Sequence, residues 1–187
     1  MEQVWRSVRP LLPLIPLGLC LVAVATAVLA VVRKQRGSVP REAVLTSALD
    51  VTLVATILSI LILTLPPSIG LPRTVNLTPF AELRHSVGDV GRGQLVGNAL
   101  LFVPFGVLAP LRWRRFDSPI GILVAATALS IAIEAAQFVL PTGRQSSITD
   151  VIMNAAGALI GYASMSAIRA ASARRIRGLE RRHPPST

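Results

Sequence analysis

Apolar residues recur in five runs, at about 11–32, 45–65, 95–111, 119–140 and 148–168. Each is close to the ~20 residues that an α-helix needs to cross a hydrocarbon core roughly 30 Å thick. Inside that core no water satisfies backbone N–H and C=O groups, and a helix closes those hydrogen bonds within its own segment. The expected fold is therefore all-α, a polytopic membrane helix bundle of about five transmembrane helices. It forms a single domain over 1–187, with a basic tail at 169–187. The composition agrees, with 52% apolar and 15% charged residues. The first run is longer than the 7–15 apolar residues of a signal peptide, and Arg33, Lys34 and Arg36 follow it. It reads as a retained helix.

The net charge of +10 raises the question of nucleic acid, and the placement of the 19 Lys and Arg residues answers it. They gather at the ends of the apolar runs, where a nucleic-acid face would need a basic stripe with interleaved aromatics. No nucleic-acid partner is expected. Counted over alternate connections, 13 of the 19 fall in 33–44, 112–118 and the tail from Arg169. Cytoplasmic segments carry the excess of positive charge. The tail is thus expected in the cytoplasm, with the amino terminus, the 66–94 loop and the Arg144 loop outside. The tail's six arginines can also attract anionic lipid. Cys20 is the single cysteine, and His85 and His183 are the only histidines. That set offers no zinc site, so neither metal nor cofactor is expected.

A charged group at the bilayer centre costs about 2.5–3.5 kcal/mol, so polar residues within the runs are informative. Asp50 lies near one end of the second run, where it can reach the interface. Pro104, inside the third, should kink that helix. Ser130, Glu134 and Gln137 share one helical face at i, i+4 and i+7, and Asp150, Asn154, Gly157 and Gly161 share another. Glu134 and Asn154 each lie ~9 Å below the surface, six residues from the end of a span. The short 141–147 connection makes the last two spans antiparallel neighbours. With five spans, the 66–94 and 141–147 loops must share a side. Asn98, Glu134, Gln137, Arg144, Asp150 and Asn154 then converge at one membrane face, open to the outside. Amides in such positions also serve as interhelical glue, at about 0.6 kcal/mol each. A buried carboxylate has to protonate or pair with a cation such as Arg144. The Gly157 and Gly161 spacing permits close helix packing, and the 75–83 stretch reads as a segment dipping into the interface.

The segments NLTPFAEL, GNALLFVPFG and IEAAQFVLPTGRQSSITDVIMNAAGALIGY, in that order over Asn76 to Tyr162, resemble the VanZ-like family of bacterial membrane proteins. The matching positions include Asn76, Pro79, Phe80, Asn98, Glu134, Gln137, Arg144, Asp150 and Asn154. The resemblance adds Asn76 to the candidate binding residues. Many relatives carry aspartates where Ser147 and Thr149 stand here, which weakens a mechanism built on several carboxylates. The resemblance implies a multi-pass protein of the bacterial cell membrane, linked through the family's founding member to teicoplanin resistance.

Three functional classes stay open. The first is an accessory or binding protein whose partners are membrane lipids, including a lipid-linked cell-wall precursor. The second is an intramembrane hydrolase or transferase on a lipid-linked substrate, with Glu134 or Asp150 as general base. No Gly-x-Ser-x-Gly or His-Glu-x-x-His motif supports it. The third is a small transporter or flippase, which five spans could form only as an oligomer.

Overall fold

In the computed structural model the described residues are 14–64, 75–80, 89–139 and 146–182. They form helices α1 (Leu14–Gln35), α2 (Pro40–Thr64), α3 (Asp89–Arg112), α4 (Pro119–Val139) and α5 (Ile148–Arg182). A single 3₁₀ turn, Arg114–Phe116, links α3 to α4, and two-residue strands β1 (Val75–Asn76) and β2 (Ser146–Ser147) pair in parallel. All five helices are long and apolar enough to cross a membrane. The protein is all-α and polytopic. Their outward faces carry large apolar side chains such as Leu19, Val24, Ile62, Leu100 and Ile160. Lipid accepts such surfaces, whereas a water-soluble monomer rarely exposes so many.

The chain divides into two compact units, residues 1–56 and 57–187. In the first, α1 ends at Gly37, whose φ of 91° is a left-handed value that glycine adopts without steric cost. The Val32 carbonyl accepts from Arg36 N–H, the Arg33 carbonyl from Arg36 and Ser38, and the Lys34 carbonyl from Gly37, so three of the last four carbonyls of α1 are satisfied. Pro40 at the first position of α2 and Glu42 in its first turn are ordinary start signals. They place Asp50 well inside α2 rather than near its end. There Asp50 meets Arg33 of α1 at 2.5 Å, and the same guanidinium donates to Thr46 at 3.0 Å and Ser47 at 3.3 Å. The pair lets a carboxylate sit within an apolar helix at a cost that the cation offsets.

In the second unit α5 packs most extensively against α3, and less against its sequence neighbour α4. The reason lies in three glycines. A Cβ on Gly157 would stand 1.9 Å from the Ala99 carbonyl oxygen, one on Gly161 2.2 Å from that of Val103, and one on Gly106 2.0 Å from that of Ala158. The two backbones therefore touch. Ala99 faces Gly157 and Val103 faces Gly161, four residues on in both helices, so α3 and α5 run parallel, as helices two spans apart must. The helix is continuous through Pro104 and Pro110, and Pro104 lies on an exposed side. The kink anticipated there does not divide α3. Phe102 and Phe105 pack edge to face, with centroids 6.3 Å apart, and Ala109, Ile122 and Ala126 are buried as they are. On α4 the buried stripe is Ile122, Ala126, Ser130, Ile133 and Gln137, so two polar side chains lie on a face that needs internal partners.

The tail expected after residue 168 continues as helix through Arg182. Its alanines, arginines, leucine and glutamate are good helix formers, so α5 persists where hydropathy falls.

Two outcomes follow from this packing. Arg33→Ala or Asp50→Ala alone leaves one charge in the apolar segment and should destabilise the protein by about 2–3 kcal/mol, while the double substitution recovers most of the loss. Thermal unfolding in detergent of the four proteins in that cycle measures the coupling. Gly157→Ala should lower Tm by roughly 6–12 °C through overpacking against backbone. Gly97→Ala, where an added Cβ meets nothing within 4 Å, should leave Tm unchanged or raise it.

Candidate functional site

The amino end of α5 is where the chain's polar side chains meet. Ser147 is its N-cap, with its hydroxyl accepting from Thr149 N–H at 3.1 Å. In a capping box the carboxylate three residues on would reach back to the cap's own N–H. Here Asp150 holds that position but turns to α3, where its Oδ1 accepts from Asn98 Nδ2 at 2.5 Å. The Ser147 N–H donates instead to Oε2 of Glu134, on α4, at 3.1 Å. The capping box is thus split between two helices. Glu134 also brings an acceptor to the positive end of the α5 dipole, an arrangement that stabilises the helix start.

A second strand of contacts comes from residues 75–80. Val75 pairs with Ser146 and Asn76 with Ser147, which lays this segment along the entry to α5. The Asn76 side-chain oxygen accepts from Thr78 N–H at 3.0 Å, closing a tight turn. Phe80 then adopts φ 58°, an unusual value for a residue with a side chain. Its N–H donates to Thr149 Oγ1 at 2.9 Å, which holds the conformation in place. The interfacial segment expected here is, over its described residues, a strap docked on the start of α5.

Deeper in the bundle Asn154 Nδ2 donates to Ser130 Oγ at 2.8 Å, and nearer the end of α4 Gln137 Nε2 donates to the Thr64 carbonyl at 2.7 Å. Thr64 is the last residue of α2, so Gln137 caps that helix's terminal turn. Among the described residues every buried side-chain nitrogen and oxygen has a hydrogen-bond partner. The structure brings Asn76, Asn98, Glu134, Asp150 and Asn154 together around the first two turns of α5, and directs Gln137 to the end of α2. Arg144, expected beside Glu134, lies outside the described residues. Among those described, no three His, Cys, Asp or Glu side chains gather as a metal site would require.

A family model for VanZ/LLP1 matches residues 50–169, more than half of the chain and every part of the site just described. The chain belongs to the VanZ/LLP1 family. No curated protein and no solved structure matches it. Within this VanZ/LLP1 chain Ser147 serves as a cap and Thr149 as the anchor of the strap. Read from the sequence alone, Ser147 and Thr149 are only missing carboxylates. The signal that finds them is the Ser147-x-x-Asp150 spacing at the start of an apolar run.

Beside Glu134 lies an open groove of about 290 Å³, lined by Leu77, Ile131, Ala135, Phe138, Ile148 and Val151 together with Glu134 and Ser147. Among these described residues Glu134 is the one ionisable group. The groove is an apolar slot with a carboxylate at its wall, a form suited to an amphiphile.

Because Glu134 satisfies the N-cap N–H, its structural part can be separated from its charge. Glu134→Ala should cost about 1–3 kcal/mol by leaving that donor without its acceptor. Glu134→Gln retains a carbonyl acceptor and should stay within about 1 kcal/mol of the parent. Denaturation of both variants in one detergent checks the split.

Proposed function

We propose that this VanZ/LLP1 protein is an accessory binding protein of the bacterial cell envelope, seated in the plasma membrane, that holds an amphiphilic lipid at the Glu134 groove. The observation that supports it is the union of an apolar slot with a single carboxylate at the polar end of the bundle. An acyl or prenyl chain lies along Leu77, Ile131, Phe138 and Val151. Hydroxyl or amide donors of the headgroup turn to Glu134. An ionised carboxylate has roughly four lone-pair sites, so it can accept from the fold and from a headgroup at once. Asn98, Asp150, Asn154 and Asn76 hold the wall rigid, and Gln137 fixes the α2 end. With this face outside, the ligand is a lipid-linked cell-wall precursor, and its sequestration changes access by glycopeptides such as teicoplanin.

For the hydrolytic alternative, neither Ser130 nor Ser147 is supported as a nucleophile. Both act as hydrogen-bond acceptors from amides within the fold.

The test uses the stable Glu134→Gln variant and a groove-filling Ala135→Phe variant at membrane levels equal to the parent. In a host that the parent protects, both should return teicoplanin susceptibility to that of cells lacking the protein. Loss of a hydrogen bond to a charged acceptor should weaken binding of a lipid-linked precursor by about tenfold or more. Full protection by both variants would refute the groove.

A further inference from the structure

A second cavity lies toward the opposite ends of α3 and α4, on the side of the Arg114–Phe116 turn. Its volume is about 570 Å³, within the roughly 300–1,000 Å³ range of sites that take one small ligand. The walls come from Ile57 of α2, Phe105 of α3 and Ile120, Val124 and Leu129 of α4. Its floor is low because Gly121, Ala125 and Ala128 fall at i, i+4 and i+7 along α4. Gly121 is required there for another reason as well. An added Cβ would stand 2.6 Å from the Arg115 carbonyl oxygen and 2.9 Å from Ser118 Oγ, so only glycine lets the 3₁₀ turn close onto α4.

That turn builds a cationic rim. Trp113 and Phe116 stand edge to face, with centroids 5.7 Å apart and planes at 90°. The Arg115 guanidinium lies 4.6 Å from the Phe116 ring centre and 5.6 Å from that of Trp113, held at the mouth by both π faces. Arg112 sits over Trp113 at 5.8 Å, and Arg114 is exposed beside them. The nearest acidic residue in sequence, Asp117, is engaged by Arg169 of α5 at 2.9 Å. Its charge is therefore offset by that cation, and the rim stays positive over an apolar slot.

We infer that this cavity is a binding site for an anionic phospholipid, with one acyl chain along Phe105, Val124 and Leu129 and the phosphate against Arg114 and Arg115. The complementarity carries the assignment. A zwitterionic lipid would fill the slot equally but would gain little from the rim, and a soluble phosphate would leave the slot empty. Arg115 can meet phosphate through its fork of N–H donors while its face stays stacked. Trp113 lines the cavity, where its indole reports on a bound chain.

Trp5 and Trp113 are the two tryptophans, so Trp5→Phe leaves Trp113 as the sole indole of the full-length protein. Reconstituted in phosphatidylcholine vesicles, this protein is titrated with phosphatidylglycerol brominated on its acyl chains, and separately with brominated phosphatidylcholine. Trp113 quenching should reach its midpoint at about fivefold lower mole fraction with the anionic lipid. Arg114→Gln together with Arg115→Gln should bring the two midpoints together, as should salt high enough to screen the rim. Ala125→Leu, which raises the floor, should reduce quenching by both lipids. Equal midpoints in the Trp5→Phe parent would overturn the assignment, since that comparison needs no further variant to fold. So would a preference that survives both arginine substitutions, or one that free inorganic phosphate abolishes at constant ionic strength.

Discussion

Helices α3 and α5 meet backbone against backbone, and the remaining contacts of the second unit are arranged around that line. No lipid-driven hydrophobic force joins two helices in a membrane, so close approach and hydrogen bonds have to do it. Gly106, Gly157 and Gly161 remove the side chains that would hold the two axes apart. Once they touch, Asn98 is within reach of Asp150, and the amino end of α5 is fixed beside the carboxyl end of α4. The polar contacts then lock a geometry that the glycines permit. An amide pair alone would contribute too little to choose this crossing from others.

The start of α5 shows how a helix end is accommodated in such a bundle. Its first N–H groups have no partners within the helix. The side chain of Ser147 takes one, Glu134 satisfies the N-cap N–H, and the strap at 75–80 adds Phe80 N–H to Thr149. The last two tie α4 and the strap to that one turn. That turn joins α3, α4, β1 and α5, which is why the family segments lie far apart in sequence yet describe one place.

Much of this architecture is legible in the amino-acid sequence alone. Run length predicts the five helices, because a hydrocarbon core sets the number of residues needed. Helical periodicity puts Ser130, Glu134 and Gln137 on one face and Asp150, Asn154, Gly157 and Gly161 on another, and parity puts the polar ends on one side. The departures also have physical causes. Hydropathy measures where a helix can meet lipid and not where it stops, so α5 runs on to Arg182 and α2 begins at Pro40 rather than Leu45. That earlier start moves Asp50 inward along α2. Its partner Arg33 reads from sequence as a simple end charge, because the pairing exists only after the α1–α2 turn closes. The preference of α5 for α3 over α4 is hidden in the sequence too. Short connections predict neighbours, but backbone approach decides which neighbour packs most closely.

A structural role and a binding role for Glu134 do not compete. A carboxylate used only as a cap could be replaced by a residue on α5 itself, and Asp150 stands in the right position for that task. The chain instead directs Asp150 to α3 and brings the cap from α4, where the carboxylate also forms the wall of an open apolar groove. A cap supplied from within α5 would leave that wall apolar. Supplying it across the helix gap fixes a polar acceptor at the groove with a rigidity that a side chain on a surface would lack, because its orientation is set by a backbone N–H. A headgroup meeting Glu134 would thus encounter an acceptor already oriented, and little ordering entropy would remain to be lost on binding.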